Sequence, residues 1–154
     1  MAGTSERFKL RNPDTPILFV DDDPIAHTIV RHHLKYWRLE SVYSAREALA
    51  ALEKENFVIV ITDLMMPKMN GIDLLREIKR RYKNRVQVIM VTASDQLDHL
   101  IEALDGGAND FLLKPLKKEE IEEVLEHTLK RIERWNRAKD LLKSREREPE
   151  REEP

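Results

Sequence analysis

Asp21, Asp22 and Asp23 follow directly on the apolar run that ends Phe19-Val20, and Asp63 follows Val60-Ile61-Thr62. Short apolar runs bounded by turn signals read as buried parallel strands. A carboxylate at the end of such a run stands at the C-terminal edge of the sheet, where open α/β folds carry their sites. Carboxylates converging there repel one another unless a positive charge sits among them, and hard oxygen donors of this kind suit Mg²⁺. A carboxylate so placed can also do covalent chemistry. A carboxylate can attack a phosphoryl group and become an acyl phosphate, a transfer that asks the protein chiefly for positioning and charge neutralisation.

Two further runs end in matching chemistry. Val88-Ile89-Met90-Val91 leads to the Thr92 hydroxyl, and Phe111-Leu112-Leu113 leads to the Lys114 ammonium ahead of Pro115. Acid pair, lone Asp, Thr and Lys-Pro stand in this order, 41 residues from Asp22 to Asp63, 29 on to Thr92 and 22 on to Lys114. The set resembles the receiver domain of bacterial response regulators, over about Thr15 to Arg131. The resemblance implies an α/β fold, a doubly wound five-stranded parallel sheet in the order 2-1-3-4-5. It implies phosphoryl acceptance at Asp63 from a sensor histidine kinase or histidine phosphotransfer protein, with Mg²⁺ required.

The same resemblance assigns roles residue by residue. Asp22 would bind the metal directly, Asp21 mostly through a metal-bound water, and Asp63 would be both ligand and nucleophile. The backbone carbonyl of Met65 would complete the protein ligands. Lys114 and Thr92 would each meet a phosphoryl oxygen. Thr92 would then draw its loop inward, and Phe111, three residues before Lys114, would enter the space it leaves. Met65 and Ser94, two residues past Asp63 and Thr92, occupy places whose side chains influence the hydrolytic water. An apolar Met cannot position that water, so slow self-dephosphorylation is expected. Such a domain modifies and demodifies itself but is not an enzyme acting on an external substrate. Its output would pass to a downstream protein through helix 4, strand 5 and helix 5, here 97–130.

Two other classes share part of this pattern. A Mg²⁺-dependent phosphohydrolase wants Asp-x-Asp on its first strand; Asp21 and Asp23 have that spacing, but Pro24 follows at once and there is no cap domain. A binding module that is never phosphorylated has no physical need for five matched polar groups.

These residues need elements to hold them. Ile17–Val20, Ser41–Tyr43, Phe57–Thr62, Val86–Val91 and Asp110–Leu113 read as strands. Asp23 before Pro24 reads as a helix N-cap, for a helix carrying Ile25, Ile29, Val30 and Leu34 at helical spacing. Ser44 with Glu47 forms a capping-box pattern ahead of Ala48, Leu49 and Leu52. Asn70-Gly71 closes a loop before a helix from Ile72 to about Tyr82. Leu97, Leu100, Ile101 and Leu104 lie on a fourth helix that stops at Gly106-Gly107. A fifth begins near Lys117.

Within that last helix Ile121, Leu125, Thr128, Ile132, Trp135, Lys139 and Leu142 recur at alternating spacings of 4 and 3. This implies an extension of roughly three turns beyond Arg131. It could pair two chains as a coiled coil in a homodimer, fold back on its own domain, or lead as a linker to an output domain. The expected division is a loose lead over 1–15, the receiver over 16–131, a helical extension over 132–143 and a disordered charged tail over 144–154.

Composition narrows the rest. A chain of 154 residues fits one domain. A net charge of −2 gives no reason to expect affinity for nucleic acid or an anionic membrane. The lack of cysteine excludes disulfides and thiolate chemistry. No apolar stretch approaches the roughly 18 residues of a membrane span, and the polar start is not a signal peptide, so the cytoplasm is the default setting. His27, His32, His33, His99 and His127 show no metal-binding spacing. His32-His33 is expected on the outside of the first helix, and His127 lacks the flanking context of a phosphodonor.

Overall fold

The computed structural model describes residues 14–147. Five strands, β1 (Ile17–Val20), β2 (Leu39–Val42), β3 (Ile59–Asp63), β4 (Gln87–Thr92) and β5 (Asp110–Leu113), alternate with five helices. These are α1 (Pro24–His33), α2 (Ala45–Lys54), α3 (Gly71–Tyr82), α4 (Leu97–Asp105) and α5 (Lys118–Arg147). All strand pairs are parallel, in the order β2-β1-β3-β4-β5. The doubly wound sheet expected from the alternation is the sheet observed.

Side-chain alternation builds two cores, one on each face of the sheet. Leu18, Val20, Val60, Val88 and Met90 pack against α2, α3 and α4 through Ala48, Leu52, Leu75, Ile78, Leu100 and Ala103. Ile17, Phe19, Ile59, Ile61, Ile89, Val91 and Leu112 pack against α1 and α5 through Val30, Leu34, Ile121 and Leu125. Because β1, β3 and β4 are buried on both faces, they read as unbroken apolar runs. Register then aligns their ends: Val20 lies beside Thr62, Asp63 beside Val91 and Thr92 beside Leu113. The polar residues that follow emerge at one edge.

Capping fixes where three helices start. The Asp23 carboxylate accepts from the Ile25 N–H at 3.0 Å, the Ser44 hydroxyl from Glu47 N–H at 3.1 Å, and the Asn70 amide oxygen from Asp73 N–H at 2.9 Å. The Glu47 carboxylate reaches back to the Tyr43 N–H at 3.0 Å, one residue earlier than in the usual capping box. At the opposite edge Lys79 Nζ donates to the Val86 carbonyl at 3.0 Å and to Asn109 Oδ1 at 2.7 Å, binding α3 to the entries of β4 and β5.

The burial of helix faces and the ends of several elements refine the expected picture. Ile25 and Ile29 on α1 are exposed, at 68% and 41%, whereas His27, Val30 and Leu34 are buried. On α4 only Leu100 and Ala103 are buried, while Leu97, Ile101 and Leu104 face outward. β2 begins at Leu39 and β3 at Ile59, since Phe57 is buried before its backbone joins the ladder. The last helix does not stop at 143 or fold back. It is one continuous helix to Arg147, and residues 133–147 are all exposed. Ser144, Arg145, Glu146 and Arg147, expected to be disordered, continue it. The Ser144 hydroxyl donates to the Asp140 carbonyl at 3.0 Å, and the Arg and Glu residues propagate a helix well. Apart from Asp14 and Thr15, the expected loose lead lies outside the described residues, as does the tail from 148.

Candidate functional site

The edge where β1, β3, β4 and β5 end collects five of the side chains singled out above. Asp21, immediately after β1, is fully buried; Asp63, the last residue of β3, is 6% exposed; Asp22 is exposed. One carboxylate oxygen from each of the three lies within 4.8 Å of the others. Lys114, just past β5, places its ammonium 3.3 Å from Asp63 Oδ2 and 3.5 Å from Asp21 Oδ2. Thr92 ends β4, fully buried, with its hydroxyl donating to the Ala93 carbonyl at 3.2 Å.

Electrostatics follow from this crowding. Burial, then the neighbouring Asp21 charge, pushes the Asp63 carboxyl up to about 6, against the opposing pull of Lys114. Burial alone would lower Lys114, yet the Asp63 and Asp21 carboxylates outweigh it and hold the ammonium above its ordinary value. Three carboxylates against one ammonium leave the cluster short of positive charge. All-oxygen donors at this separation fit a hard divalent cation such as Mg²⁺.

The supporting contacts explain why the cluster holds its shape. Asp21 Oδ1 accepts from the Asp23 N–H at 2.8 Å. Its carbonyl meets His27 Nε2 at 2.6 Å, so α1 grips β1 directly below the acid pair. His27 is buried, stacked on Tyr43 at 4.1 Å and edge-on to Phe19 at 5.2 Å. On the other side Gly71 N–H donates to the Leu64 carbonyl at 2.9 Å. A Cβ at Gly71 would stand 2.9 Å from Leu64 Cα and overlap the Asp63 carbonyl oxygen.

Neither residue was singled out from the sequence. The signal for Gly71 was its place after Asn70, read only as a turn; that for His27 was a histidine four residues past the N-cap. Met65 is 46% exposed in the loop after β3, next to the buried Leu64 and Met66. Phe111 is 40% exposed on β5. Ser94 lies in the 3₁₀ turn before α4, and its side chain is outside the described residues. His32 is exposed as expected, whereas His33 is half-buried and its Nε2 lies 3.2 Å from the Leu116 carbonyl.

Comparison with known proteins agrees with this geometry. Residues 17–126 match the response regulator receiver domain family, and the chain belongs to that family. It is 33% identical over 125 residues to chemotaxis protein CheY-3 of Vibrio cholerae, covering 79% of this chain and 96% of that protein. It is 36% identical over 115 residues to the transcriptional regulatory protein ZraR of Salmonella typhimurium, covering 73% of this chain but only 26% of ZraR. The chain thus spans about a quarter of the length of that regulator. Among solved structures, a response regulator receiver domain protein from Clostridium thermocellum superposes with a TM-score of 0.73 at 28% identity, covering 77% of this chain and 97% of that one. This is a receiver domain of two-component signalling. Among the described residues no helix is long and apolar enough to cross a membrane.

Proposed function

We propose that Asp63 accepts a phosphoryl group in a Mg²⁺-dependent reaction, and that its modification switches a protein-interaction surface in a phosphorelay. The observation that carries this reading is the incompletely neutralised cluster itself: a nearly buried carboxylate, Asp63, beside a second buried carboxylate, an exposed third and one ammonium. Asp21, Asp22, Asp63 and the Met65 carbonyl would hold the metal, which when bound supplies the missing positive charge and steadies the phosphoryl oxygens.

An Asp63 carboxylate oxygen attacks phosphorus. The P–N bond of a phosphohistidine donor, or the P–O bond of acetyl phosphate, breaks, and the leaving group takes the electron pair. Lys114, already 3.3 Å from Asp63, turns to a phosphoryl oxygen. The Thr92 hydroxyl exchanges the Ala93 carbonyl for another. Phe111, half out of the sheet, follows into the space Thr92 leaves. The two conformations need differ by only a few kcal/mol for one covalent group to invert their populations. A histidine kinase or phosphotransfer protein is the donor, a downstream protein reads the α4-β5-α5 face, and a cytoplasmic setting belongs to the same reading. No external substrate is turned over.

Intact mass after incubation with acetyl phosphate tests the reading. One added phosphoryl group is expected with Mg²⁺, none with chelator, and none on Asp63→Asn. An adduct indifferent to Mg²⁺ or to Asp63 would sink it. A second expectation concerns lifetime. Met65 offers the hydrolytic water no hydrogen bond, so Met65→Asn should speed loss of the phosphoryl group roughly five- to tenfold, about one hydrogen bond's effect on a barrier. An unchanged decay of the phosphorylated mass would remove Met65 from this role.

A further inference from the structure

The exposed side of α5 carries an order of charges that the receiver chemistry does not use. Glu120, Glu123, His127, Arg131 and Arg134 are spaced 3, 4, 4 and 3 residues apart, which sets all five on one helical stripe. The order is symmetric about His127 with the sign reversed: two acids before it, two bases after it. Glu120, Glu123, His127 and Arg134 are exposed and have no hydrogen bond or ion pair among the described residues. Arg131 reaches sideways to Gln87 Oε1 at 3.2 Å.

A face with this pattern complements itself only when turned end for end. We propose that α5 is a homodimer interface, in which two copies of this chain pair their last helices antiparallel about a two-fold axis at His127. Each residue then faces the one equally far beyond the other copy's His127, so Glu120 meets Arg134 and Glu123 meets Arg131, twice over. A parallel pair would set Glu120 on Glu120 and Arg134 on Arg134, and like charges at that spacing repel.

Ion pairs at an exposed seam contribute little each, so they set orientation and a buried aromatic must supply most of the affinity. Trp135 is 48% exposed. It lies eight residues past His127, and the residue eight before is Glu119. The antiparallel register therefore brings Trp135 of one copy to the hollow that Phe111, Leu113, Glu120 and Val124 line beside β5 in the other. Because residues 133–147 are all exposed, that half of α5 is open to a neighbour. The heptad stripe cannot serve a coiled coil over its full length, since Ile121, Leu125 and Thr128 are already buried in their own domain.

The pairing does not require chemistry at Asp63, so it is tested without a phosphodonor and its failure leaves the phosphoacceptor reading standing. Sedimentation of the full chain should give a dimer that weakens with salt. Arg134→Glu, whose side chain has no polar partner in its own domain, should reduce it to a monomer, as should Trp135→Ala. Exchanging all four charges (Glu120→Arg, Glu123→Arg, Arg131→Glu, Arg134→Glu) should restore a dimer that does not mix with the original chain. The absence of cysteine permits a direct reading of orientation. His127→Cys should oxidise to a linked dimer and Glu120→Cys should not, while Glu120→Cys mixed with Arg134→Cys should, given the short Cα separation a disulfide needs. A monomeric chain at high concentration, or Glu120→Cys linking to itself as readily as His127→Cys, would overturn the proposal.

Discussion

Gly71→Ala should lower stability by about 3 kcal/mol and largely abolish phosphoryl acceptance at Asp63. The added methyl would lie 2.9 Å from Leu64 Cα and overlap the Asp63 carbonyl oxygen. Both neighbours are backbone, so no rotamer change relieves the overlap. Overpacking usually costs about 1–3 kcal/mol, and an obstacle that cannot rotate puts this case at the upper end. The helix must lift or the β3 end must shift, and Asp63 is the residue at that end. In a domain of this size the melting temperature should fall by roughly 6–12 °C. The mass adduct should form at least tenfold more slowly even where the variant is folded. An alanine variant that melts with the original chain and accepts phosphate at the original rate would show that the contact is not restrictive.

Asp63→Asn should have the opposite effect on stability while eliminating acceptance. Folding raises the Asp63 carboxyl from its ordinary 3.8 to about 6, so the native state disfavours the charge at neutral pH. The penalty is complete above about pH 6. It fades as the native state takes up a proton on the way down, and it is gone below about pH 4. Asn removes it. Allowing for the solvent that screens the site, the gain at pH 7.5 without metal should be about 1–2 kcal/mol, or roughly 3–6 °C in melting temperature. At pH 4 the two chains should melt together. Mg²⁺ should raise the melting temperature of the original chain in proportion to its saturation and that of the variant much less. Equal metal-free stability at pH 7.5 would mean that Lys114 already compensates Asp63 in full.

Strand ends were the legible part of this molecule. Central parallel strands must be apolar on both faces, so Asp21, Asp63, Thr92 and Lys114 stood out against their runs, and order along the chain placed them on one edge. Helix faces were less legible, because periodicity gives the existence of a face and not its direction. On α1 the isoleucines 25 and 29 share helical spacing with Val30 and Leu34, yet they are exposed and the helix is anchored by His27, Val30 and Leu34. The grip of His27 on the Asp21 carbonyl and the close approach of Gly71 to Asp63 depend on neighbours distant in sequence or on loop conformation. Neither leaves a mark on the local pattern. The reach of the last helix to Arg147 was missed because composition alone suggested disorder, although arginine and glutamate are also good helix formers.

Nine residues make up α4, held by two buried side chains and started at Gln96 without a side-chain cap. A helix this short has little reserve of its own. It follows Thr92 almost at once, so the part of the protein nearest the Thr92 hydroxyl is also among the cheapest to unravel. Local opening there needs far less free energy than global unfolding, and its amides will trade hydrogen with solvent long before those of β3 or β4. In the proposed switch a signal leaving Asp63 would therefore travel first through softness, by redistributing an ensemble of frayed and wound α4, and only then through the stiff sheet behind it.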